Sequence, residues 1–211
     1  RANETSETVT FHTEPEPITL NVRDFGAFGD GVHDDTSAIQ AAILCCPEKA
    51  RVLIPKGTYP VTALFLKSDM ILELQENAVL AGIYDRARTP ILPGQIEYDN
   101  EDGYYNLGSW EGNPIDSFAS MITGIHVKNV TICGKGVLDG RADFENWWSR
   151  PKDKIRAWRP RMIFLNHCEN ITVVGITVQN SPAWNLHPYF SNQIRFLDME
   201  VKGPANSHNT D

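Results

Sequence analysis

The last 51 residues of the chain, Arg161–Asp211, contain two apolar segments that superpose when the sequence is shifted by 23 residues. The shift places apolar side chains on apolar side chains at five positions: Ile171 on Ile194, Val173 on Phe196, Val174 on Leu197, Ile176 on Met199 and Val178 on Val201. A fixed period carried by short β-branched runs is typical of stacked repeats, in which each unit buries its apolar face only against its neighbours. The sequence therefore predicts a solenoid, and Asp211 begins its next turn.

Two longer offsets extend the repeat toward the N-terminus. The segment Val79–Gly82 recurs 58 residues later as Val137–Gly140, and Asn129–Ile132 recurs as Asn170–Val173. The intervening apolar runs are short and end at Gly, Pro, Asp or Ser. Strands without long helices between them, at a spacing far beyond hairpin loops, favour parallel coiling over an antiparallel meander.

One amphipathic helix is predicted before the strands begin. Asp34 or Asp35 can N-cap a helix in which Ile39, Ala42 and Ile43 fall at positions i, i+3 and i+4. A bare first rung would expose open strand edges and apolar side chains. We therefore expect this short N-terminal helix to cap the stack.

The first residues differ from the rest of the chain. Residues 1–16 are polar, with an alternating piece, Thr8–Thr13, before a Pro-rich linker. The alternating piece resembles the closing strand of a fibronectin type III module. We expect residues 1–16 to be either a frayed tail or the last strand of such an upstream module, and residues 17–211 to form one β-helix domain.

Composition excludes several partners. The formal net charge is −8, which argues against a general nucleic-acid binder, because such proteins usually need a broad basic face. No apolar run approaches the length of roughly 18 residues that a membrane span requires. The first residues contain no apolar signal core. We expect neither nucleic acid nor membrane as a partner, and the chain does not indicate its localisation.

The four cysteines do not suggest a disulfide framework or a metal site. Cys45 and Cys46 are adjacent, whereas Cys133 and Cys168 lie in or beside apolar strand patterns, so no pair has metal-ligand spacing. Free cysteine is among the most buried residue types. We expect reduced, structural thiols, and neither a metal nor a cofactor.

Two aromatic-rich stretches, residues 83–118 and 141–160, interrupt the repeat. The second runs into a basic cluster, in which six Lys or Arg residues between Arg150 and Arg161 accompany a single acid, Asp153. Arginine suits planar carboxylates, and aromatic faces suit sugar rings. The cluster predicts an anionic polysaccharide as partner; the alternative is a solvated loop with structural tryptophans.

Seven motifs now coincide in one order. They are Phe25-Gly26-Ala27 with Gly29-Asp30-Gly31 and Asp34-Asp35-Thr36; Ile54-Pro55-Lys56-Gly57-Thr58-Tyr59; Gly134-Lys135-Gly136-Val137-Leu138-Asp139-Gly140; Trp147-Trp148; Arg159-Pro160; Asn180-Ser181-Pro182-Ala183-Trp184; and Asn209-Thr210-Asp211. Together they resemble the polygalacturonase-type glycoside hydrolases of family 28, over residues 21–211. Each motif alone is weak, but the ordered set is specific.

The resemblance implies an all-β chain folded as a right-handed parallel β-helix. It implies hydrolysis of α-1,4-galacturonosidic bonds in polygalacturonan or pectin, by inversion and without a metal. The expected partner is an anionic pectic polysaccharide or oligogalacturonide, and the expected state is a monomer. An Asp-Asp pair, a Gly-His-Gly and an Arg-x-Lys lie further downstream in the family pattern. This domain is therefore expected to be incomplete at its C-terminal end and to lack the general acid.

The resemblance assigns Asp211 a catalytic role, as one of the carboxylates that hold the attacking water. We expect Asn209 to fix this loop and contact sugar hydroxyls. His187, Arg161 and Arg159 are the other candidates for substrate binding. A histidine satisfied in a turn is the alternative for His187. The residues before the triplet, Ser207-His208, stand where the family more often has a proline, which bears on the rigidity of the loop.

Inverting hydrolysis needs two carboxyl groups about 6.5 to 9.5 Å apart, so that water fits between them. Adjacent strands lie about 4.8 Å apart, and carboxylates on successive or next-but-one rungs can span that gap. The segment 83–118 could close one end of a cleft and favour attack at chain ends.

Two alternatives to hydrolysis stay open. One is a pectate-lyase-like β-elimination, which would need a Ca²⁺ site of clustered carboxylates; the other is a non-catalytic β-helix that binds polysaccharide.

Overall fold

The computed structural model describes residues 16–97 and 104–208 of the chain. In this part of the chain a 3-10 helix (Val22–Phe25) and one α-helix, α1 (Thr36–Cys45), accompany a large set of short strands. In chain order the strands are β1 (Thr19–Asn21), β2 (Ala50–Ile54), β3 (Gly57–Val61), β4 (Leu64–Phe65), β5 (Met70–Leu74), β6 (Ala78–Gly82), β7 (Ile91–Leu92), β8 (Gln95–Glu97), β9 (Tyr104–Asn106), β10 (Ser109–Trp110), β11 (Asn113–Pro114), β12 (Ser117–Phe118), β13 (Ile122–Ile125), β14 (Lys128–Gly134), β15 (Val137–Asp139), β16 (Ile163–Asn166), β17 (Glu169–Val174), β18 (Thr177–Gln179), β19 (Leu186–Tyr189), β20 (Asn192–Leu197) and β21 (Glu200–Lys202).

Three parallel sheets run along the molecule. Sheet 1 has the order β1-β2-β5-β14-β17-β20, sheet 2 the order β3-β6-β15-β18-β21, and sheet 3 the order β4-β13-β16-β19. Successive turns of the chain contribute one strand to each sheet, and neighbouring strands within the three sheets are parallel. The chain is a right-handed parallel β-helix, which confirms the predicted fold class.

The strand register confirms the repeat that the sequence predicts. Ile171 lies opposite Ile194 across β17 and β20, which is the 23-residue offset. Val130 lies opposite Ile171 across β14 and β17. Val79 lies opposite Val137 across β6 and β15, although 58 residues of chain separate them. Each insertion therefore leaves the stack and returns to the same register.

The inward side chains of the strands form one continuous apolar core. A row across sheet 1, Val52, Leu72, Ile132 and Val173, is fully buried. In β2 and β5 buried and partly exposed residues alternate, as the pleat of a strand with one face in the core demands. Burial of each such side chain contributes about 1.5–3 kcal/mol, so the stack is stabilised rung by rung.

One unusual backbone conformation recurs where the strands of sheet 1 begin. Asp69, Asn129, Asn170 and Gln193 have φ values of 59°, 54°, 53° and 54°. The Asn129 amide donates to Asp69 Oδ1 at 2.8 Å, and the Asn170 amide donates to Asn129 Oδ1 at 2.9 Å. Asparagine and aspartate adopt left-handed φ at lower cost than most other residues. Asn129 and Asn170 thus have a structural role, because the amide of each is hydrogen-bonded to the rung below.

Helix α1 covers the first rung, as predicted. Ile39, Ala42 and Ile43 are fully buried and join the main core cluster. The Gln40 side chain donates to the carbonyl of Phe65 at 2.9 Å and accepts from its N–H at 2.7 Å. These are backbone groups of β4, the terminal strand of sheet 3. The helix therefore satisfies the strand edge with a side chain as well as with apolar packing.

The start of α1 corrects one detail of the sequence prediction. Asp35 occupies the N-cap position but makes no capping hydrogen bond with its side chain. Its carboxylate is buried and accepts from the backbone N–H groups of Phe28 and Gly29 at 2.6 and 3.0 Å. Asp34 instead accepts from the Thr36 N–H at 2.9 Å. The carboxylate of Asp35 organises the glycine-rich loop, because that loop supplies N–H donors in a buried place.

The other predictions concern the insertion, the cysteines and the first residues. The described parts of the 83–118 insertion form three antiparallel pairs, β7 with β12, β8 with β9 and β10 with β11. The four cysteines are free thiols; Cys46 and Cys168 are buried and Cys45 is exposed. None of the described residues belongs to a helix with the length and apolarity of a membrane span. Residues 1–15 lie outside the described residues, so the upstream module stays a prediction.

Two glycines with positive φ provide a test of the stacking. A Cβ on Gly134 (φ 113°) would lie 2.0 Å from the Leu74 carbonyl oxygen, whereas a Cβ on Gly26 (φ 93°) would meet no atom within 4 Å. We expect Gly134→Ala to lower the free energy of unfolding by more than about 3 kcal/mol, because backbone must move in the rung below. Gly26→Ala carries the left-handed strain alone, about 1–2 kcal/mol. Guanidinium denaturation of both variants measures the difference, and equal costs would contradict the close stacking.

Candidate active site

His187, one of the predicted binding residues, lies on the outer face of sheet 3. Phe65, Thr123, Phe164 and His187 lie opposite one another on its four strands. The 83–118 insertion packs on this face, and its Leu92 and Leu107 share a buried cluster with Phe164. Tyr189, on the same strand as His187, also packs against this cluster. His187 itself, on the last described strand of sheet 3, is only partly buried.

Arg161 lies just before β16 of sheet 3, and its side chain lies beneath the rings of Trp110 and Trp184. The residue is 1% exposed, and its guanidinium carbon is 5.7 Å from the Trp110 ring centroid and 5.5 Å from that of Trp184. Its Nη2 donates to the Ser109 carbonyl, while its Nε has no hydrogen-bond partner among the described residues. Burial, and then repulsion from Arg159, lower the pKa of Arg161 to about 10.

Trp184 lies one rung beyond Arg161. The two positions differ by the 23-residue repeat, and the Met162 N–H donates to the Trp184 carbonyl at 3.2 Å. Trp110, from the β10–β11 hairpin of the insertion, stacks on Trp184 with a centroid distance of 4.4 Å and an interplanar angle of 21°. The pair forms a flat aromatic surface above a cation, a combination worth about 0.5–2 kcal/mol for each ring.

His187 stands against the edge of this surface. Its ring is 4.8 Å from Trp184 in a T-shaped arrangement and 5.2 Å from Phe164. The Nδ1 atom is buried and has no hydrogen-bond partner among the described residues. Burial, and then the Arg161 cation, lower the pKa of His187 to about 4. The imidazole is therefore neutral at neutral pH, and one of its nitrogens carries a proton that a ligand oxygen can accept.

Arg159 connects the site to the end of the described chain. It is 4% exposed, and its Nη1 donates to the carbonyls of Pro182 and His208, the latter at 3.3 Å. Burial, and then repulsion from Arg86, lower the pKa of Arg159 to about 10. Asn209 and Asp211 lie outside the described residues, so their roles stay predictions. His208 is the residue immediately before Asn209, and Arg159 is therefore close to this segment of the chain.

Trp147 and Trp148 of the second insertion are structural, which agrees with the alternative interpretation of the basic cluster for these two residues. Trp147 and Trp148 are 3% and 2% exposed and form a buried cluster with Phe118. Arg86 lies over the Trp147 ring at 4.6 Å. Lys154 forms an ion pair with Asp116 at 2.8 Å, on the surface. From the basic cluster, the structure brings Arg159 and Arg161 to the site and leaves Lys154 outside it.

Sequence reasoning missed the roles of Trp110, Trp184 and Ser109. Trp184 was part of a motif, but no site role was assigned to it. The repeat held the necessary signal, because a residue 23 positions after Arg161 must lie on the next rung above it. The position of Trp110 has no such signal, since its insertion is outside the repeat.

The described residues contain no group of three or more His, Cys, Asp or Glu side chains that could hold a metal ion.

The chain matches a family model. Residues 86–211 match the model described as "Glycosyl hydrolases family 28". The matched range contains Trp110, Arg159, Arg161, Trp184 and His187, and it ends at the predicted catalytic Asp211.

Individual proteins agree with this match. The chain is 29% identical to a probable polygalacturonase of Vitis vinifera, over 89% of this chain and 38% of that protein. It is 38% identical to an exo-poly-alpha-D-galacturonosidase of Dickeya chrysanthemi, over 84% of this chain and 28% of that protein. The structure of the Yersinia enterocolitica family 28 exopolygalacturonase superposes with a TM-score of 0.76 at 26% identity, covering 96% of this chain and 41% of that one. The chain thus spans less than half the length of these relatives.

The depressed pKa of His187 predicts how stability depends on pH. The unfolded chain binds this proton near the ordinary pKa of 6.5 and the folded chain only near 4. The unfolded state therefore takes up more protons as the pH falls, and the contribution of His187, present in full above pH 6.5, is lost between about pH 6.5 and 4. The difference between these two pKa values corresponds to about 3 kcal/mol, and because solvent screens this partly buried group we expect a loss on the order of 2 kcal/mol.

Denaturant titrations at several pH values check this expectation. In His187→Gln the decrease attributable to this residue should disappear. His126→Gln, which removes an exposed histidine immediately after strand β13 of the same sheet, is the matched control and should retain the decrease. A His187→Gln protein with the pH dependence of the wild type would show that another group is responsible.

Proposed function

Because the chain belongs to glycoside hydrolase family 28, we propose that it is part of an enzyme that hydrolyses α-1,4-galacturonosidic bonds in polygalacturonan or pectin. One observation carries the choice of an anionic substrate. Arg161 is 1% exposed, and its guanidinium group has no carboxylate partner among the described residues. This cation lies beside the outer face of sheet 3, at the candidate site. Buried cations are normally paired, and a uronate would supply the missing negative charge.

The other candidates extend this binding role. Arg159 is a second buried cation near the segment that leads to Asp211. His187 is neutral at neutral pH and donates one hydrogen bond, to a sugar hydroxyl or a carboxylate. The flat surface of Trp184 suits the apolar face of a pyranose ring. The site therefore combines charge, one directional donor and an aromatic surface, and we propose a monomer as the working unit.

We propose an inverting mechanism in which Asp211 is a general base. It takes a proton from a water that attacks the anomeric carbon, while a carboxylic acid on the other side of the bond protonates the leaving oxygen. In the family pattern that acid belongs to an Asp-Asp pair after the Asn-Thr-Asp triplet. We propose Asp211 as the base of this pair and a carboxylic acid of that downstream pair as its partner.

The alternatives fit less well. A pectate-lyase-like elimination would leave an unsaturated product that absorbs in the ultraviolet, and the family assignment favours hydrolysis instead. A β-helix that only binds polysaccharide would release no reducing ends, and the family assignment favours an enzyme instead. Reducing-end release without ultraviolet absorbance separates hydrolysis from elimination.

Asp211 provides the test of the mechanism, in a longer enzyme that also contains the Asp-Asp pair of the family pattern. We expect Asp211→Asn to lower kcat on polygalacturonate by at least about 10³-fold with little change in KM, because the amide cannot take a proton from water but keeps the shape of the side chain. Reducing-end release measures the rate. NMR of the first-formed anomer tests inversion.

Asp198→Asn is the matched control, since it removes an aspartate from a surface turn between β20 and β21. It should leave kcat unchanged. Retained activity in Asp211→Asn would remove this residue from the mechanism, and a product of retained configuration would reject the inverting role of water.

The insertion supports a further proposal, that attack occurs at chain ends. Residues of the insertion pack on the outer face of sheet 3, where Leu92 and Leu107 share a buried cluster with Phe164 and Phe65 of the first strand packs against it. A polymer bound at His187 therefore meets a wall in the direction of the N-terminal rungs. Only the last sugars at the end of a polymer then fit between this wall and the bond that is cleaved.

Product analysis tests the wall. We expect the longer enzyme to release galacturonic acid or its dimer from polygalacturonate from the earliest times, with a slow decrease of solution viscosity. A variant that shortens the hairpin between Gly108 and Ile115 tests only the tip of the wall, since Leu92 and Leu107 remain in place. It should still release short products. An early mixture of long oligomers from the unaltered enzyme would contradict attack at chain ends.

A further inference from the structure

One face of Trp184 is covered by an indole of the same chain. Trp110 lies on it at 4.4 Å, nearly parallel, and both tryptophans are partly exposed. The stack stands directly over the Arg161 guanidinium. A flat ring next to a carboxylate-binding cation is the environment that a uronate sugar requires, because its pyranose ring and its carboxylate are close together. Trp110 thus occupies the position that suits such a ring.

The polar groups of Arg161 and Ser109, below the stack, have either a weaker hydrogen-bond partner than they prefer or none among the described residues. Arg161 donates to a neutral carbonyl, that of Ser109, although guanidinium groups bind carboxylates more strongly. Its Nε and the Ser109 hydroxyl are buried without hydrogen-bond partners among the described residues, and both residues are 1% exposed. Unsatisfied buried polar atoms are uncommon and point to a ligand or to a second conformation.

The element that carries Trp110 is suited to movement. Strands β10 and β11 have two residues each and are joined by Glu111 and Gly112, with φ values of 49° and 81°. Positive φ at both loop positions is the signature of a tight type I′ hairpin. An isolated two-stranded hairpin is marginally stable at best, so it depends on what its side chains contact. The Trp110 ring can leave Trp184 without disturbing the parallel sheets.

We propose that Trp110 is a gate on a uronate subsite formed by the face of Trp184 and the guanidinium of Arg161. The end of a substrate chain displaces the Trp110 ring, its terminal sugar stacks on Trp184, and its carboxylate binds Arg161. The gate rests on the proposed function for the identity of the sugar. It differs from the insertion wall, because the wall limits the length of chain that enters, whereas the gate adds a cost to every binding event.

The gate predicts an increase in affinity when its ring is removed. Displacing Trp110 breaks one aromatic stack and one cation–π contact, so the open form is a minor population and the apparent affinity falls accordingly. We expect Trp110→Ala in the 211-residue chain to bind digalacturonate about tenfold more tightly than the wild type. A second change, Arg161→Gln in the Trp110→Ala chain, should abolish that gain.

Titration calorimetry with digalacturonate and with neutral digalactose measures the affinities. Phe28→Ala is the matched control, since Phe28 is an exposed ring stacked on His33 at 4.3 Å in the N-terminal loop. It should bind digalacturonate as the wild type does.

Circular dichroism gives an independent signal that needs no variant. The stacked indoles of Trp110 and Trp184 couple electronically, and bound digalacturonate should remove that signal from the wild-type chain.

The outcomes separate the gate from the proposed function. Equal or weaker digalacturonate binding by Trp110→Ala, or an indole signal unchanged at saturation, overturns the gate and leaves the function standing. A Trp110→Ala chain that gains as much affinity for digalactose as for digalacturonate retains the gate and rejects the uronate specificity. A chain that binds neither sugar, with or without Trp110, overturns the subsite.

Discussion

Parallel stacking in register requires each rung to repeat the backbone conformation of the rung below. The start of the sheet 1 strands shows this requirement, because Lys49, Asp69, Asn129 and Asn170 share a left-handed φ between 53° and 60°. The side chains of Asp69, Asn129 and Asn170 meet in a ladder as a result. Glycine is needed at position 134, where the previous rung's carbonyl occupies the place of a Cβ. Insertions leave the stack at other turns and return without shifting the strands.

The same constraint assembles the candidate site. Offsets of 41 and 23 residues place Ser120, Arg161 and Trp184 one above another, and the Arg161 N–H donates to the Ser120 hydroxyl at 3.2 Å. Residues that are distant in sequence thus become neighbours about 4.8 Å apart, the strand spacing. The fold supplies a column of side chains, and the insertion adds Trp110 from outside it.

The sequence predicts the repeated part of the molecule well. The partners Ile171 and Ile194 follow from apolar residues at a fixed offset, because an inward position in one rung is an inward position in the next. The side-chain role of Asp35 does not follow, since its partners Phe28 and Gly29 belong to an irregular loop. The burial of Arg161 does not follow either. It depends on Trp110, whose position is set by the packing of an insertion that has no period.

Arg161 also shows why this region is better explained by binding than by stability. Removing a guanidinium from water costs several kcal/mol, and contacts of about 0.5–2 kcal/mol with each of the Trp110, Trp184 and Phe164 rings offset only part of that cost. An apolar side chain of similar volume would pack against the same rings without an unsatisfied Nε. Lysine would be a poorer choice still, because its compact ammonium is more strongly hydrated and cannot bind a carboxylate through two parallel hydrogen bonds. In the proposed gate, this cost is offset when a sugar replaces the Trp110 ring and its carboxylate binds the planar cation.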